Sequence, residues 1–330
     1  MKKSKVLILG VSSFSGSSLV DYLLNKNFQI CGTYNKKKIN PYLLFKKNKK
    51  FKNLKLEKIN LQKKNNIHKL IKIIKNFKPT VIIDFASICM VNESWHEPEK
   101  YFSINVNSKI ILLDRIKNLT FVKKYIYIST PEVFGSAISK IKEDYNLFNP
   151  STPYASSKLA AELLIKNYNK NFSFNGIIAR FSNFYGPGQP MYRLIPKFII
   201  SVKKNLKFYI HGKGDSLRNF IFSDDFCSGI YKIILKGKPN NIYHFSNDEY
   251  FTVNQTIIKI AKLLKINANK FISHSKERVG KDKFYKLDCK KTKKLLSWKC
   301  KVSFEIGIEK VINYVNQNFK ILKKTQINYK

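Results

Sequence analysis

Tyr154 and Lys158 stand four residues apart in the stretch Ser151–Lys158, immediately after Pro153. Ser151 or Thr152 offers an N-cap and Pro153 a first helical residue, so the stretch predicts a helix beginning near Pro153, with Tyr154 and Lys158 one turn apart on the same face. Spacing alone carries little weight in this chain. Five Tyr-x-x-x-Lys pairs occur, starting at Tyr22, Tyr34, Tyr42, Tyr154 and Tyr209, and the other four lack this company. Upstream, the run Lys123–Thr130 reads as a strand ending in Ser129 and Thr130, which sets hydroxyls at the carboxyl edge of a sheet, where open parallel sheets bind ligands. A tyrosine with its ordinary pKa of about 10 is a poor base at neutral pH; a nearby ammonium and a positively charged nicotinamide ring favour its phenolate. Hydroxyl, tyrosine and lysine beside a nicotinamide therefore form a device that takes a proton from an alcohol while hydride leaves its carbon.

Such a device needs rigid elements behind it. The first half of the chain alternates short β-rich runs (KVLILG, FQICGTY, TVIIDFAS, KKYIYIST) with helical ones (GSSLVDYLLNKN, NIHKLIKIIKNFK, SKIILLDRIK), and a further strand, NGIIARFSN, follows the Tyr154 helix. This alternation predicts a Rossmann-type α/β fold, a doubly wound parallel sheet wrapped by helices on both faces. From Asn35 to Lys58 the periodicity breaks, and the simplest reading is a solvated, lysine-rich excursion between the second and third strands. Beyond the NGIIARFSN strand, Gly, Pro and Arg punctuate a less regular region.

Where the first strand meets the first helix, Gly10 and Gly16 sit as a dinucleotide-binding turn requires, so that backbone N–H groups and the positive end of a helix meet a pyrophosphate. Ser13 occupies the place of the usual middle glycine, and its side chain must either turn away from the phosphates or bond to one. After the second strand no carboxylate is present to bind the ribose hydroxyls of NAD. Asn35 and the lysines Lys36–Lys38 stand there instead and tilt the cofactor toward NADP.

Bulk properties narrow the classes further. The chain has 330 residues, 44% of them hydrophobic, enough to bury a large core. No apolar run approaches the roughly 20 residues of a membrane helix, and the opening MKKSKVLILG reads as a first buried strand rather than a signal peptide. Five scattered cysteines (Cys31, Cys89, Cys227, Cys289, Cys300) with no C-x-x-C spacing fit a reducing cytoplasm, and with five dispersed histidines they predict no metal centre. The formal net charge of +41 would draw polyanions, yet only five of the 62 basic residues are arginine, leaving 62 − 5 = 57 lysines. Base readout leans on the planar fork of arginine, so a specific nucleic-acid partner is not expected. In a chain that uses lysine by default, an arginine marks a place where a bidentate guanidinium is needed.

Several longer segments carry a resemblance: GVSSFSG, DFASICMVNESWHEPEKYFSINV, STPEVFG, YASSK, RFSNFYGPGQ, GKGDSLRNFIFSDD and ERVGKDKFYKLD. On these the chain resembles an extended short-chain dehydrogenase/reductase, within the NAD-dependent epimerase/dehydratase family, and most of all the nucleoside-diphosphate-sugar 4,6-dehydratases. The resemblance implies an NAD(P)-binding domain over 1–180, with part of 215–246 added, and a smaller C-terminal α/β sugar-nucleotide-binding domain over 181–330. It implies cofactor contacts from Gly10, Ser13, Phe14, Ser15, Gly16, Asn35, Lys36, Asn60, Leu61, Phe85, Ala86, Ser87, Asn105, Ser129, Tyr154 and Lys158. Catalytic roles fall to Thr130, Glu132, Tyr154 and Lys158. Substrate contacts fall to Ser87, Glu132, Asn183, Arg193, Arg218 and Arg278, and four of the five arginines (Arg180, Arg193, Arg218, Arg278) lie in or beside the resembling segments. Trp95 is expected in the core.

The resemblance also implies a reaction. Glu132 matches the base that removes the C5 proton of a 4-ketosugar, whereas simple 4-epimerases generally have no acid there. In dTDP-glucose 4,6-dehydratases the residue before it is an aspartate that protonates the departing hydroxyl; here it is Pro131. GDP-mannose 4,6-dehydratases also lack that aspartate. UDP-glucuronate decarboxylases carry a similar glutamate, so an epimerase or decarboxylase stands as the alternative. A non-enzymatic polyanion-binding protein on the same fold is a third reading, one that leaves Thr130, Glu132, Tyr154 and Lys158 together without a purpose. The resemblance further implies a homodimer formed through a helix bundle that includes the Tyr154 helix.

Overall fold

A computed structural model describes residues 4–137, 139–277, 279–280 and 282–329. Seven strands form the main sheet, in the spatial order Ile242–Phe245, Gly176–Phe181, Lys124–Ser129, Val81–Asp84, Lys5–Leu9, Gln29–Tyr34, Leu54–Lys58. Every pairing in it is parallel. The chain leaves Lys5–Leu9 in one direction, then crosses back to build the other half from Val81–Asp84 onward, which is the doubly wound arrangement. The inner strands are continuous apolar runs because helices cover both faces.

Two apolar layers sandwich the sheet. On one face Leu19, Val20, Leu23 and Leu24 of the helix Phe14–Asn25 pack with Phe226, Ile230 and Ile233 of the helix Ser223–Lys236. On the other, Ile67, Leu70, Ile71 and Ile74 of the helix Lys64–Phe77 follow the i, i+3, i+4, i+7 spacing and meet Leu112 and Leu113 of Ser108–Ile116 and Ala161 and Ile165 of Pro153–Phe172. The helix bearing Tyr154 starts as expected, with Thr152 as its N-cap: the Thr152 hydroxyl accepts from the Ala155 N–H at 3.2 Å. Ser151 instead donates to the Gly280 carbonyl at 3.2 Å.

Two expectations are corrected here. The segment after the second strand is not simply solvated: Leu43 and Phe45 enter the core, and Leu54–Lys58 is an edge strand in register with Ile30–Tyr34. Its lysine-spaced sequence LKLEK suits an edge, where charge guards an otherwise open row of backbone donors and acceptors. Trp95 is not in the core either. It lies at the end of the short turn Asn92–Trp95 and is 45% exposed.

The C-terminal part is more regular than its sequence suggests. The helices Leu194–Lys203, Val253–Leu263 and Phe304–Gln317 close a third apolar cluster around Phe198, Ile257 and Ile308, with the strand Phe208–His211 paired in parallel to Ile272–Ser275. Strand Ile242–Phe245 leaves this part and joins the main sheet beside Gly176–Phe181.

Candidate active site

A cavity of about 920 Å³ runs along the carboxyl ends of the strands, from the turn after the first strand to the C-terminal elements. At the turn, Gly10 has φ +89° and a Cβ there would lie 3.2 Å from the backbone of Phe85 and Ala86, while a Cβ on Gly16 would sit 2.4 Å from the Gly10 carbonyl oxygen. Only glycine fits either place. Ser13 turns its side chain into the turn itself: its hydroxyl accepts from the Gly16 N–H at 3.0 Å and donates to the Gly10 carbonyl at 2.7 Å, capping the first helix. That helix carries no acidic residue in its first turn, so its positive end stays available to an anion.

Ser13, Phe14, Ser15, Asn35, Lys36, Asn60, Leu61, Phe85, Ala86, Ser87 and Ser129 all line the cavity with Gly10. The hydroxyl oxygens of Ser129 and Ser182, which also lines it, are buried and have no hydrogen-bond partner among the described residues. Unsatisfied donors beside a glycine-lined cradle fit a polar ligand such as a dinucleotide. Gly16 and Asn105 do not line the cavity. Gly16 acts through the close packing of the turn, and Asn105, fully buried in a π-helical turn at Ser103–Asn107, clamps the wall from behind. Its carboxamide accepts from the Ile88 N–H at 2.9 Å and donates to the Ile88 carbonyl at 3.1 Å and to the Ser157 hydroxyl at 2.9 Å.

Thr130, Glu132, Tyr154 and Lys158 all line the same cavity. Thr130 caps the short turn Pro131–Phe134, its hydroxyl accepting from the Glu132 N–H at 3.2 Å. Burial pushes the Tyr154 phenol well above its ordinary pKa and the Glu132 charge pushes it further; a hydrogen bond with Thr130 works the other way. Burial lowers Lys158 to about 7. Burial likewise raises Glu132 to about 7, with the charge of Asp282 adding to the rise and Arg218 and Arg193 opposing it. The protein by itself thus favours the neutral phenol at Tyr154.

At the far end Asn183, Arg193 and Arg218 line the cavity. Asn183 accepts from the Tyr285 hydroxyl at 3.2 Å, and the Arg193 guanidinium donates to the Cys89 sulfur at 3.2 Å. Arg218 is held by the carbonyls of Leu217 (2.7 Å) and Asp282 (3.0 Å), with its guanidinium carbon 5.6 Å from the centre of the Tyr285 ring. Arg278, expected to contact substrate, lies outside the described residues.

Residues 7–311 match the family described as GDP-mannose 4,6 dehydratase. The chain belongs to the GDP-mannose 4,6-dehydratase family. This family member is 31% identical over 254 residues to dTDP-D-glucose 4,6-dehydratase of Homo sapiens, covering 76% of this chain and 72% of that protein. It is also 31% identical over 368 residues to the enzyme of the same name from Dictyostelium discoideum, covering 95% and 82%. Among solved structures, dTDP-glucose 4,6-dehydratase from Bacillus anthracis in complex with NAD aligns with a TM-score of 0.86 at 26% identity, over 96% of this chain and 98% of that one.

One arginine departs from the role its sequence context suggests for this GDP-mannose 4,6-dehydratase family member. Arg180 does not reach the cavity; it is fully buried, paired bidentately with Glu162 and 3.1 Å from His244 Nε2. The fork is used to join the Tyr154 helix to the sheet. Sequence reasoning also passed over Asp84, whose fully buried carboxylate meets Lys109 at 2.8 Å and accepts from Tyr125 at 2.5 Å. Lys109 also donates to the Ala86 carbonyl at 2.8 Å, so this pair shapes the strand end that carries Phe85–Ser87. A carboxylate at the end of the apolar run VIID was the available signal, since burying one requires a partner. Asp282, Tyr285, Tyr101, Gln189 and Tyr192 line the cavity too, and only the folded chain brings them there.

Proposed function

We propose that this chain is a nucleoside-diphosphate-hexose 4,6-dehydratase, which converts a nucleotide-activated hexose to its 4-keto-6-deoxy form through transient oxidation at C4. The observation that carries this reading is Glu132, a carboxyl with its pKa raised to about 7, beside Tyr154 and Thr130 in one cavity. Bound NAD or NADP supplies the chemistry of accepting hydride from C4 and returning it at C6. Tyr154, bonded to Thr130 and with Lys158 on the same helix face, takes the proton from O4. Glu132 takes the C5 proton, which the new ketone acidifies, as hydroxide leaves C6. Pro131 has no proton to give, so Glu132 passes the C5 proton to the departing hydroxide and water leaves. The proton taken from O4 balances the one that C5 regains. Asn183, Arg193 and Arg218 hold the diphosphate end, and Arg278 extends that set.

The lack of a carboxylate after the second strand, with Asn35 and Lys36 lining the cavity there, supports NADP, and titration with each cofactor decides between the two. A homodimer through the Tyr154 helix and its neighbour is supported by Ile110 and Leu163, which are 45% and 43% exposed on those two helices. No described helix is long and apolar enough to cross a membrane, and the free cysteines support a cytoplasmic location.

The deciding experiment is mass spectrometry of nucleotide sugars (dTDP-glucose, GDP-mannose, UDP-glucose, UDP-N-acetylglucosamine, CDP-glucose, UDP-glucuronate) incubated with the protein and catalytic NAD or NADP. A product lighter by one water is expected from one of them. An unchanged mass with a new retention time, or loss of carbon dioxide, replaces the dehydratase reading with an epimerase or a decarboxylase.

A further inference from the structure

Part of the cavity wall comes from the turn Asn92–Trp95, the short helix Pro98–Phe102 that follows it, and Tyr329 near the end of the described chain. Glu93 lines the cavity here, and its Oε2 is buried with no hydrogen-bond partner among the described residues. A buried acceptor left without a donor is costly and persists where something else supplies one. Its surroundings lead straight to the reacting centre. The charge of Glu93 bears on Tyr101 and on Tyr329. Tyr101 packs edge-on against Tyr154 with ring centres 6.4 Å apart, and donates its own hydroxyl to the Met90 carbonyl at 2.5 Å.

Tyr329 comes from more than two hundred residues downstream. It stands edge-on to Tyr192 at 5.1 Å between ring centres, and the residue before it is tied down by Lys197, which donates to Asn328 Oδ1 at 2.9 Å. Nearby Lys100 is engaged by the Glu97 carboxylate, both contacts at 2.9 Å. Glu93, Tyr101 and Tyr329 therefore line the same cavity, Tyr101 one ring away from Tyr154, and neither Glu93 nor Tyr329 takes part in the chemistry assigned to the site.

We propose that Glu93 and Tyr329 form a subsite that reads a hydrogen-bond donor, a hydroxyl or amino group, at C2 or C3 of the hexose. This rests on the dehydratase reading, in which C1 carries the diphosphate and C4, C5 and C6 react, so C2 and C3 are the ring carbons whose substituents remain to be recognised. Glu93 accepts from that substituent. Tyr329 closes the wall over it, which makes the two of them specificity residues.

The test compares two affinities of the cofactor-loaded full chain: for the nucleoside diphosphates dTDP, UDP and GDP, and for dTDP-glucose, UDP-glucose and GDP-mannose with their 2-deoxy and 3-deoxy forms. In Glu93→Leu and Tyr329→Ala the extra affinity contributed by the sugar falls about 10-fold, while nucleoside diphosphate binding, which also reports correct folding, is unchanged. Removing the recognised hydroxyl costs the unmodified protein a similar factor and costs Glu93→Leu almost nothing. Equal losses for the deoxy sugar in both proteins overturn the subsite, as does a parallel fall in nucleoside diphosphate affinity in both variants. If the unmodified protein gains no affinity from any sugar and yields no product lighter by one water, the dehydratase reading fails and the subsite falls with it.

Discussion

Lys158 donates to the carbonyl oxygen of Ile128 at 2.7 Å, which ties the ammonium to the strand that presents Ser129 and Thr130. It also meets the Ser87 hydroxyl at 3.1 Å and lies 4.0 Å from the centre of the Tyr127 ring. A carbonyl, a hydroxyl and a π face compensate a buried cation only in part, and burial accordingly lowers Lys158 to about 7. The site maintains this charge at the expense of stability.

Lys158→Met should therefore separate activity from folding. Substrate-driven reduction of the cofactor falls by about 100-fold or more, whereas the thermal midpoint at neutral pH is unchanged or rises. With a folded pKa near 7 and an ordinary value of 10.5, the penalty is full below about pH 7 and fades as pH rises toward 10.5. The unmodified protein then gains stability over that window relative to Lys158→Met. Thermal melts of both proteins across pH 6–10 check it, and parallel curves would contradict the assignment.

Glu132 titrates with the opposite sign. Its pKa rises from 4.5 to about 7 on folding, so the unmodified protein loses stability as pH climbs from about 4.5 through 7, and the loss is complete above that. Because the side chain keeps some contact with solvent, the difference is on the order of 1–2 kcal/mol. Glu132→Gln should flatten this slope, abolish loss of water, and leave reduction of the cofactor by substrate detectable. Surviving dehydration in that variant would remove Glu132 from the mechanism.

Arg180 and Glu162 supply a structural control. Arg180→Ala strands a fully buried carboxylate and should cost about 3–5 kcal/mol in a denaturant titration. Pairing Arg180→Met with Glu162→Leu should recover most of it, since both charges then leave the interior together. The double variant should bind nucleotide sugar normally. A rise in KM without loss of stability would instead put Arg180 in the substrate site.

Local patterns in the chain were enough to specify the layered sheet and to mark candidate residues at its edge. Apolar runs such as KVLIL and VIID and the capped stretch following Ser151 are local patterns, and local patterns specify strands, helix starts and which side chains share a helix face. The Gly10–Gly16 turn, the Thr130 hydroxyl at the strand end and the Tyr154–Lys158 pair were legible as candidates for the same reason, whereas Glu132 was singled out by the family resemblance. What the tertiary structure alone decided lies between distant segments. LKLEK becomes an edge strand because Gln29–Tyr34 offers it a partner, and Arg180 turns inward because Glu162 stands opposite it. Asn105 clamps Ile88 instead of facing the cavity, and Glu93 and Tyr329, more than two hundred residues apart in the chain, line one cavity. Such pairings depend on desolvation and on the charges that face each other once the chain is packed, and neither quantity exists until it has folded.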